Sequence, residues 1–209
     1  MASLDMIKRV TKKIAPGRIP SFNEVHVIKA LETIGTQDGV GRKKLSTELE
    51  LGEGATRTLI KHLKTEQLVV VSRLGITLTE SGEALFSALR SHLSEGVEIP
   101  RSPLTMGPHN IAVLVKNVGQ AVKYGLEQRD AAIRVGASGA TTLIFHQDRM
   151  SMPGVAGDIF KDASAVRRIL LTRLHPQEND VIIIGSAQTK REAEFGAKMS
   201  AFELLTRQQ

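Results

Sequence analysis

Residues 68–85 read LVVVSRLGITLTESGEAL. Two β-rich runs, Val69 to Arg73 and Ile76 to Thr79, flank Leu74-Gly75. Glycine at that point supplies the positive φ that a tight turn demands, so the stretch predicts a β-hairpin. Thr79 is placed to cap a following helix that runs to about His92, with Glu80 and Glu83 near its positive end.

Working back from the hairpin, a helix is predicted from about Glu53 to Gln67, entered through the turn Leu51-Gly52-Glu53-Gly54. Before it, Arg42 to Glu50 reads as a helix with Leu45 and Leu49 one turn apart, preceded by a short extended piece around Val40. Earlier still, Val25, Ile28, Leu31 and Ile34 recur at helical spacing. Ser21 and Glu24 fit a capping box ahead of that run, and Gly35 fits its end. Residues 21–95 therefore read helix, short strand, helix, helix, hairpin, helix. The first twenty residues form a basic arm. Leu4, Ile7, Val10 and Ile14 make one apolar stripe, Lys8, Arg9, Lys12 and Lys13 lie off it, and Pro16 and Pro20 end the segment. Such an arm either packs on its neighbour or docks in a dimer and adds phosphate contacts.

Working forward, residues 96–108 hold three prolines and two glycines and read as a linker. Residues 109–209 then alternate differently. Asn110 to Lys116 is a predicted strand and Val118 to Val135 a helix. Thr141 to His146 and Arg149 to Met152 are strands joined at Gln147-Asp148. Asp162 to Leu174, Asp180 to Ile184 and Lys190 to Thr206 follow as helix, strand and helix. The order β-α-β-β-α-β-α is ferredoxin-like. It points to a two-layer α/β sandwich with an antiparallel sheet and its helices on one face. The fold class expected for the whole chain is α+β.

Three stretches beyond the hairpin carry a family resemblance. Residues 49–63, LELGEGATRTLIKHL, look like the entry to the recognition helix of a winged helix-turn-helix, and ITLTESGEAL (76–85) like the end of its wing. With EQRDAAIRVGASGATTL (127–143) and IIIGSA (182–187), the chain from about 20 to 207 resembles an archaeal family of predicted transcriptional regulators. Those proteins join an N-terminal winged helix to a C-terminal α/β domain of unassigned function. The resemblance implies double-stranded DNA as partner.

The residues themselves point the same way. The chain has 209 residues, with 28 Lys+Arg against 22 Asp+Glu, a balance of +6 that suits a polyanion. With six Phe, one Tyr and no Trp, base stacking on an aromatic platform is disfavoured. On the third helix, Ala55, Thr56, Leu59, Ile60 and Leu63 share one arc, while Arg57, Lys61 and Lys64 cluster within about 60° on the far side. Arg42, Lys43 and Lys44 open the preceding helix, where phosphate contacts are expected in this motif. Arg73 tips the wing, and Thr56, near the start of the third helix, joins these seven as a candidate DNA contact.

Other chemistry is thinly represented. There is no Cys, and no two of the six His stand at metal-ligand spacing. No G-x-S-x-G, Walker A or G-x-G-x-x-G occurs, so neither enzymatic activity nor a cofactor is expected. No run approaches the ~20 apolar residues of a membrane span. With no secretory leader in view, the expected compartment is the cytoplasm.

In the C-terminal half, Arg129 falls on the arc of Ala121, Val122, Gly125, Ala132 and Ile133, which predicts a buried guanidinium in need of an anion. Either a protein carboxylate or an anionic effector could supply it. Gly185-Ser186, between a strand and a helix, is the expected second element of such an effector site. Phe195, Met199 and Phe202 form a second apolar side on the last helix, which is economically explained by a homodimer contact. The expectation is a DNA-binding transcriptional regulator with a sensing or pairing domain. The alternative is a protein-interaction or RNA-associated adaptor that docks through the winged helix.

Overall fold

The computed structural model describes residues 2–12 and 20–207. Lys13, Ile14 and Pro16 of the arm lie outside the described residues. The chain divides into two compact units, one ending at Leu89 and the other beginning at Arg90. No helix among the described residues is long and apolar enough to cross a membrane.

The first unit holds α1 (Ala2–Thr11), α2 (Glu24–Gly35), α3 (Arg42–Leu49), α4 (Glu53–Thr65), β1 (Val69–Ser72), β2 (Gly75–Leu78) and most of α5 (Glu80–His92). The arm's stripe folds back on its own unit. Ile7 and Val10 are fully buried, α1 packs on α2 and α4, and the Val10 carbonyl receives the ring Nδ1 of His62 at 2.7 Å. The capping box of α2 uses Asn23 and His26, two residues beyond the predicted Ser21 and Glu24. His26 Nδ1 lies 3.2 Å from the Asn23 backbone nitrogen and 2.6 Å from the Asn23 side-chain Oδ1.

Burial lowers the His26 pKa from the ordinary 6.5 to about 4. The unfolded chain therefore takes up this proton at a higher pH than the folded one. The contribution of His26 to stability is constant above pH 6.5 and is lost as pH falls from 6.5 towards 4. Glutamine suits the same capping position without titrating. His26→Gln should flatten the stability profile across that window, as read by denaturant midpoints at pH 7, 5.5 and 4.5.

β1 and β2 pair antiparallel from Val69↔Leu78 to Ser72↔Gly75, leaving Arg73-Leu74 as the loop. Val40 forms an isolated antiparallel bridge to Ile76 through two 2.9 Å backbone bonds, at the edge of this two-stranded sheet. Gly75 sits at φ +122, where a Cβ would lie 2.9 Å from the Gly39 carbonyl carbon and the Val40 nitrogen. Glycine here serves the turn and the close approach together. Thr79 caps α5, its hydroxyl accepting Gly82 N–H at 3.0 Å.

The second unit carries β3 (Val97–Glu98), β4 (His109–Val115), a 3₁₀ turn (Gly119–Ala121), α6 (Leu126–Arg134), β5 (Gly139–His146), β6 (Arg149–Ser151), α7 (Ser164–Leu174), β7 (Val181–Ala187) and α8 (Lys190–Arg207). Its five-stranded sheet has the order β3-β4-β7-β5-β6, with every pair antiparallel.

Three expectations are corrected here. The segment 96–108 is not a linker: Val97–Glu98 add an edge strand to β4, and Ile99 and Leu104 enter the core. Pro100 does not prevent this, because an edge strand tolerates a residue that cannot donate. The strand order is not ferredoxin-like, since β7 lies in the middle between β4 and β5. Nor are there only two layers. Ile182 and Ile184 of β7 join Val166, Leu170 and Leu174 of α7 in one core. The alternate residues of β7 face α8, whose backbone lies against Gly185. A central strand buried at every position needs cover on both faces, and α7 supplies the second. The class remains α+β, a helical first unit and an antiparallel sheet with helices.

Candidate nucleic-acid interface

On α4 the helical period separates the side chains cleanly. Leu59, Ile60, His62 and Leu63 are buried, while Arg57, Lys61 and Lys64 are exposed. These three cations, with Ile60, Thr65 and Val71, line a cleft of about 480 Å³ between α4 and β1. A second cleft of about 240 Å³ adjoins it, lined among others by Gly41 and Arg42 at the start of α3 and by Val71, Ser72 and Gly75 of the hairpin. Arg57, Ile60 and Val71 border both. The tertiary fold thus brings α3, α4 and the hairpin to one cationic surface.

Lys44 donates to Gln37 Oε1 at 2.5 Å. Arg42, Lys43, Arg57, Lys61, Lys64 and Arg73 make no ion pair or side-chain hydrogen bond with any described residue. Elsewhere some surface cations are paired, as in Arg134–Glu203 at 3.0 Å and Arg207–Glu127 at 3.2 Å, while others, such as Arg167, Arg168 and Arg173 of α7, have no side-chain partner among the described residues.

The start of α3 is unusual on physical grounds. Its N-cap is Gly41, with no side-chain capping bond, and its first turn holds three cations and no acid. Free N–H groups and the positive helix end disfavour cations there, typically by some tenths of a kcal/mol each. The arrangement becomes favourable when an anion arrives, because amides and side chains then act together. Gly52 caps α4, again without a side-chain bond, and neither Gly41, Gly52 nor Gly54 has any atom within 4 Å of where a Cβ would stand. Both helix starts therefore present open backbone.

Thr56 is a correction. It is fully buried, and its hydroxyl donates to the carbonyls of Gly52 at 3.2 Å and Leu51 at 3.4 Å. Its place on the packing arc decided its environment. Thr56→Val should leave duplex binding unchanged and cost roughly 1 kcal/mol of stability for the lost hydrogen bonds, measurable by chemical denaturation. The apolar lining supplied by Ile60 and Val71 was missed. The Val-Val-Val run at 69–71 carried a signal, because a strand at the margin of a small sheet cannot bury all three.

The ligand and dimer residues do not form the sites expected of them. The helix predicted over Val118–Val135 begins only at Leu126, because Gly125 adopts φ +73 against Thr142 and breaks it. Arg129 is consequently not a buried guanidinium. Its side chain is 48% exposed and pairs with the adjacent Asp130 at 3.1 Å. Gly185 and Ser186 lie inside β7, paired on both sides, and do not form a helix-entry loop. Ser186 Oγ donates to Asn110 Oδ1 at 2.7 Å and accepts Met106 N–H at 3.1 Å. Thr189 and Glu192 cap α8 reciprocally. Phe195, Met199 and Phe202 are at most 8% exposed within the single chain, so no second copy is needed to remove them from water.

Comparison with known proteins divides the chain in the same two parts. Residues 27–93 match the model of the CggR N-terminal DNA-binding domain. Residues 106–204 match a domain of unknown function, DUF4443. Among solved structures, the chain is similar to a hypothetical protein from Pyrococcus horikoshii OT3. The two are 26% identical with a TM-score of 0.64, over 87% of this chain and 98% of that one. No curated protein matches.

Proposed function

We infer that the chain is a DNA-binding transcriptional regulator whose first unit acts as a winged helix-turn-helix. In this reading α4 enters the major groove, α3 presents its cationic start to the phosphates, and the β1–β2 hairpin is the wing. The observation that carries it is the set of four cations, Arg42 of α3 and Arg57, Lys61 and Lys64 of α4, that line two adjoining clefts beside the hairpin and have no carboxylate partner among the described residues. Surface cations left unpaired in this way serve a polyanion better than they serve the fold. The match of residues 27–93 to a DNA-binding domain supports the same reading.

The second unit is the proposed sensing or pairing part of the regulator. Neither Arg129 with Gly185-Ser186 nor the Phe195 side of α8 furnishes its site.

Fluorescence anisotropy on duplexes selected from a random pool tests the proposal. Log affinity should fall linearly with log salt, with a slope near −0.9 for each phosphate neutralised, and one selected sequence should bind at least about 10³-fold tighter than bulk DNA. Binding to RNA or to a protein, with none to duplex DNA, would replace the regulator by an adaptor.

A further inference from the structure

We propose that the hairpin tip Arg73-Leu74 is a groove wedge, with Leu74 inserting its side chain at a base step of the minor groove while Arg73 occupies the groove beside it. The proposal rests on the DNA-binding reading above and adds to it a residue that reads DNA deformability.

Leu74 is 87% exposed, more than any other large apolar residue in the described chain. Mobility does not explain this exposure, because the tip is held from several sides. Leu74 N–H donates to Ser72 Oγ at 3.1 Å, and the same hydroxyl lies 3.3 Å from the Gly75 carbonyl. The Leu74 carbonyl rests directly on Gly39, where a Cβ would come within 2.3 Å of it. The Val40–Ile76 bridge pins the strand just beyond. The backbone of the tip is thus buttressed by the α2–α3 connection while both loop side chains project outward. A single exposed leucine is common on protein surfaces; what singles this one out is its buttressed place beside Arg73 at the hairpin tip.

The surroundings select the occupant. A cleft lined by Arg57, Lys61 and Lys64 runs between α4 and β1, and one phosphate strand is the anion that fits it. A single backbone strand separates the two grooves of a duplex. With that strand in the cleft, α4 lies on its major-groove side and the hairpin on its minor-groove side. The minor groove is about 6 Å wide, too narrow for a helix but open to a two-residue loop. Its negative potential attracts arginine, and apolar wedges at flexible steps unstack and kink the duplex by about 20–90°. Arg73-Leu74 combines the two chemistries in adjacent residues.

The test uses the full chain, a selected duplex and its end-labelled form, so that affinity, salt slope and end-to-end distance are read together. Leu74→Ser should weaken binding about tenfold and relax the bend. It should leave the salt slope unchanged, because an apolar contact releases no counterions. Leu74→Met should restore both affinity and bend. Arg73→Ala should instead lower the slope by about 0.9. A Leu74→Ser protein that binds and bends DNA as the wild type does overturns the wedge while leaving the DNA-binding reading intact. A wild-type chain that binds no duplex overturns both.

Discussion

Replacing Arg57, Lys61 and Lys64 together by alanine should reduce duplex affinity by roughly 10²-fold or more at 0.1 M salt. The slope of log affinity against log salt should flatten by about 2.7, three contacts at 0.9 each. The three side chains are exposed and make no side-chain bonds with described residues, so the thermal unfolding midpoint should stay within a degree or two of wild type. The comparison between sequences matters as much as the magnitude. If the cations touch only phosphates, the loss will be uniform across duplexes; if any of them reads a base edge, preference for the selected site will shrink as well. A folded triple variant with unaltered affinity and slope would remove α4 from the interface. Single variants provide the internal check, since Arg57, which borders both clefts, should account for the largest share.

Gly185→Ala should be the most damaging single methyl group in the second unit. A Cβ on Gly185 would stand 2.2 Å from the Ala193 carbonyl oxygen and 2.5 Å from the Ala197 nitrogen. Both are backbone atoms of α8, so no side chain can rotate away. The helix must lift from the central strand, and α8 also packs on β4 and α6. Overpacking of this kind costs about 3 kcal/mol at the upper end of the usual range, enough to move a denaturation midpoint substantially. Gly136→Ala is the control. It meets only the conformational cost of φ +92, with no atom within 4 Å, and should lose about 1 kcal/mol. Similar losses at the two positions would show that β7 and α8 do not approach as closely as described. The result also separates two roles for this glycine, because a residue kept for anion binding would tolerate the methyl group without unfolding.

Local patterns were legible where one neighbour decides the outcome. The hairpin, whose loop falls at Arg73-Leu74 one residue before the expected Leu74-Gly75, the cap at Thr79 and the exposed row Arg57, Lys61, Lys64 depend mainly on contacts within a turn or two. Their residues could therefore be placed from spacing alone. Gly125 was misread because glycine inside an apolar period is compatible with a helix; what ended the helix was the left-handed φ adopted against Thr142, a residue on another strand. Gly185-Ser186 was misread for a related reason. A missing side chain looks the same in a loop that cradles an anion and in a strand that receives a helix backbone.

The sequence by itself determined the α+β class, the elements of the first unit and the cationic face of α4. Tertiary structure alone decided what fills the space around those elements. It set the third layer, the place of β7 between β4 and β5, and the enclosure of Phe195, Met199 and Phe202 within one chain. It also joined Arg42, Arg57 and Val71 along one cleft. The physical reason is that periodicity records which side of an element avoids water, and that preference is satisfied equally by a neighbouring strand, a distant helix or a second molecule. Which one is present depends on the path of the whole chain.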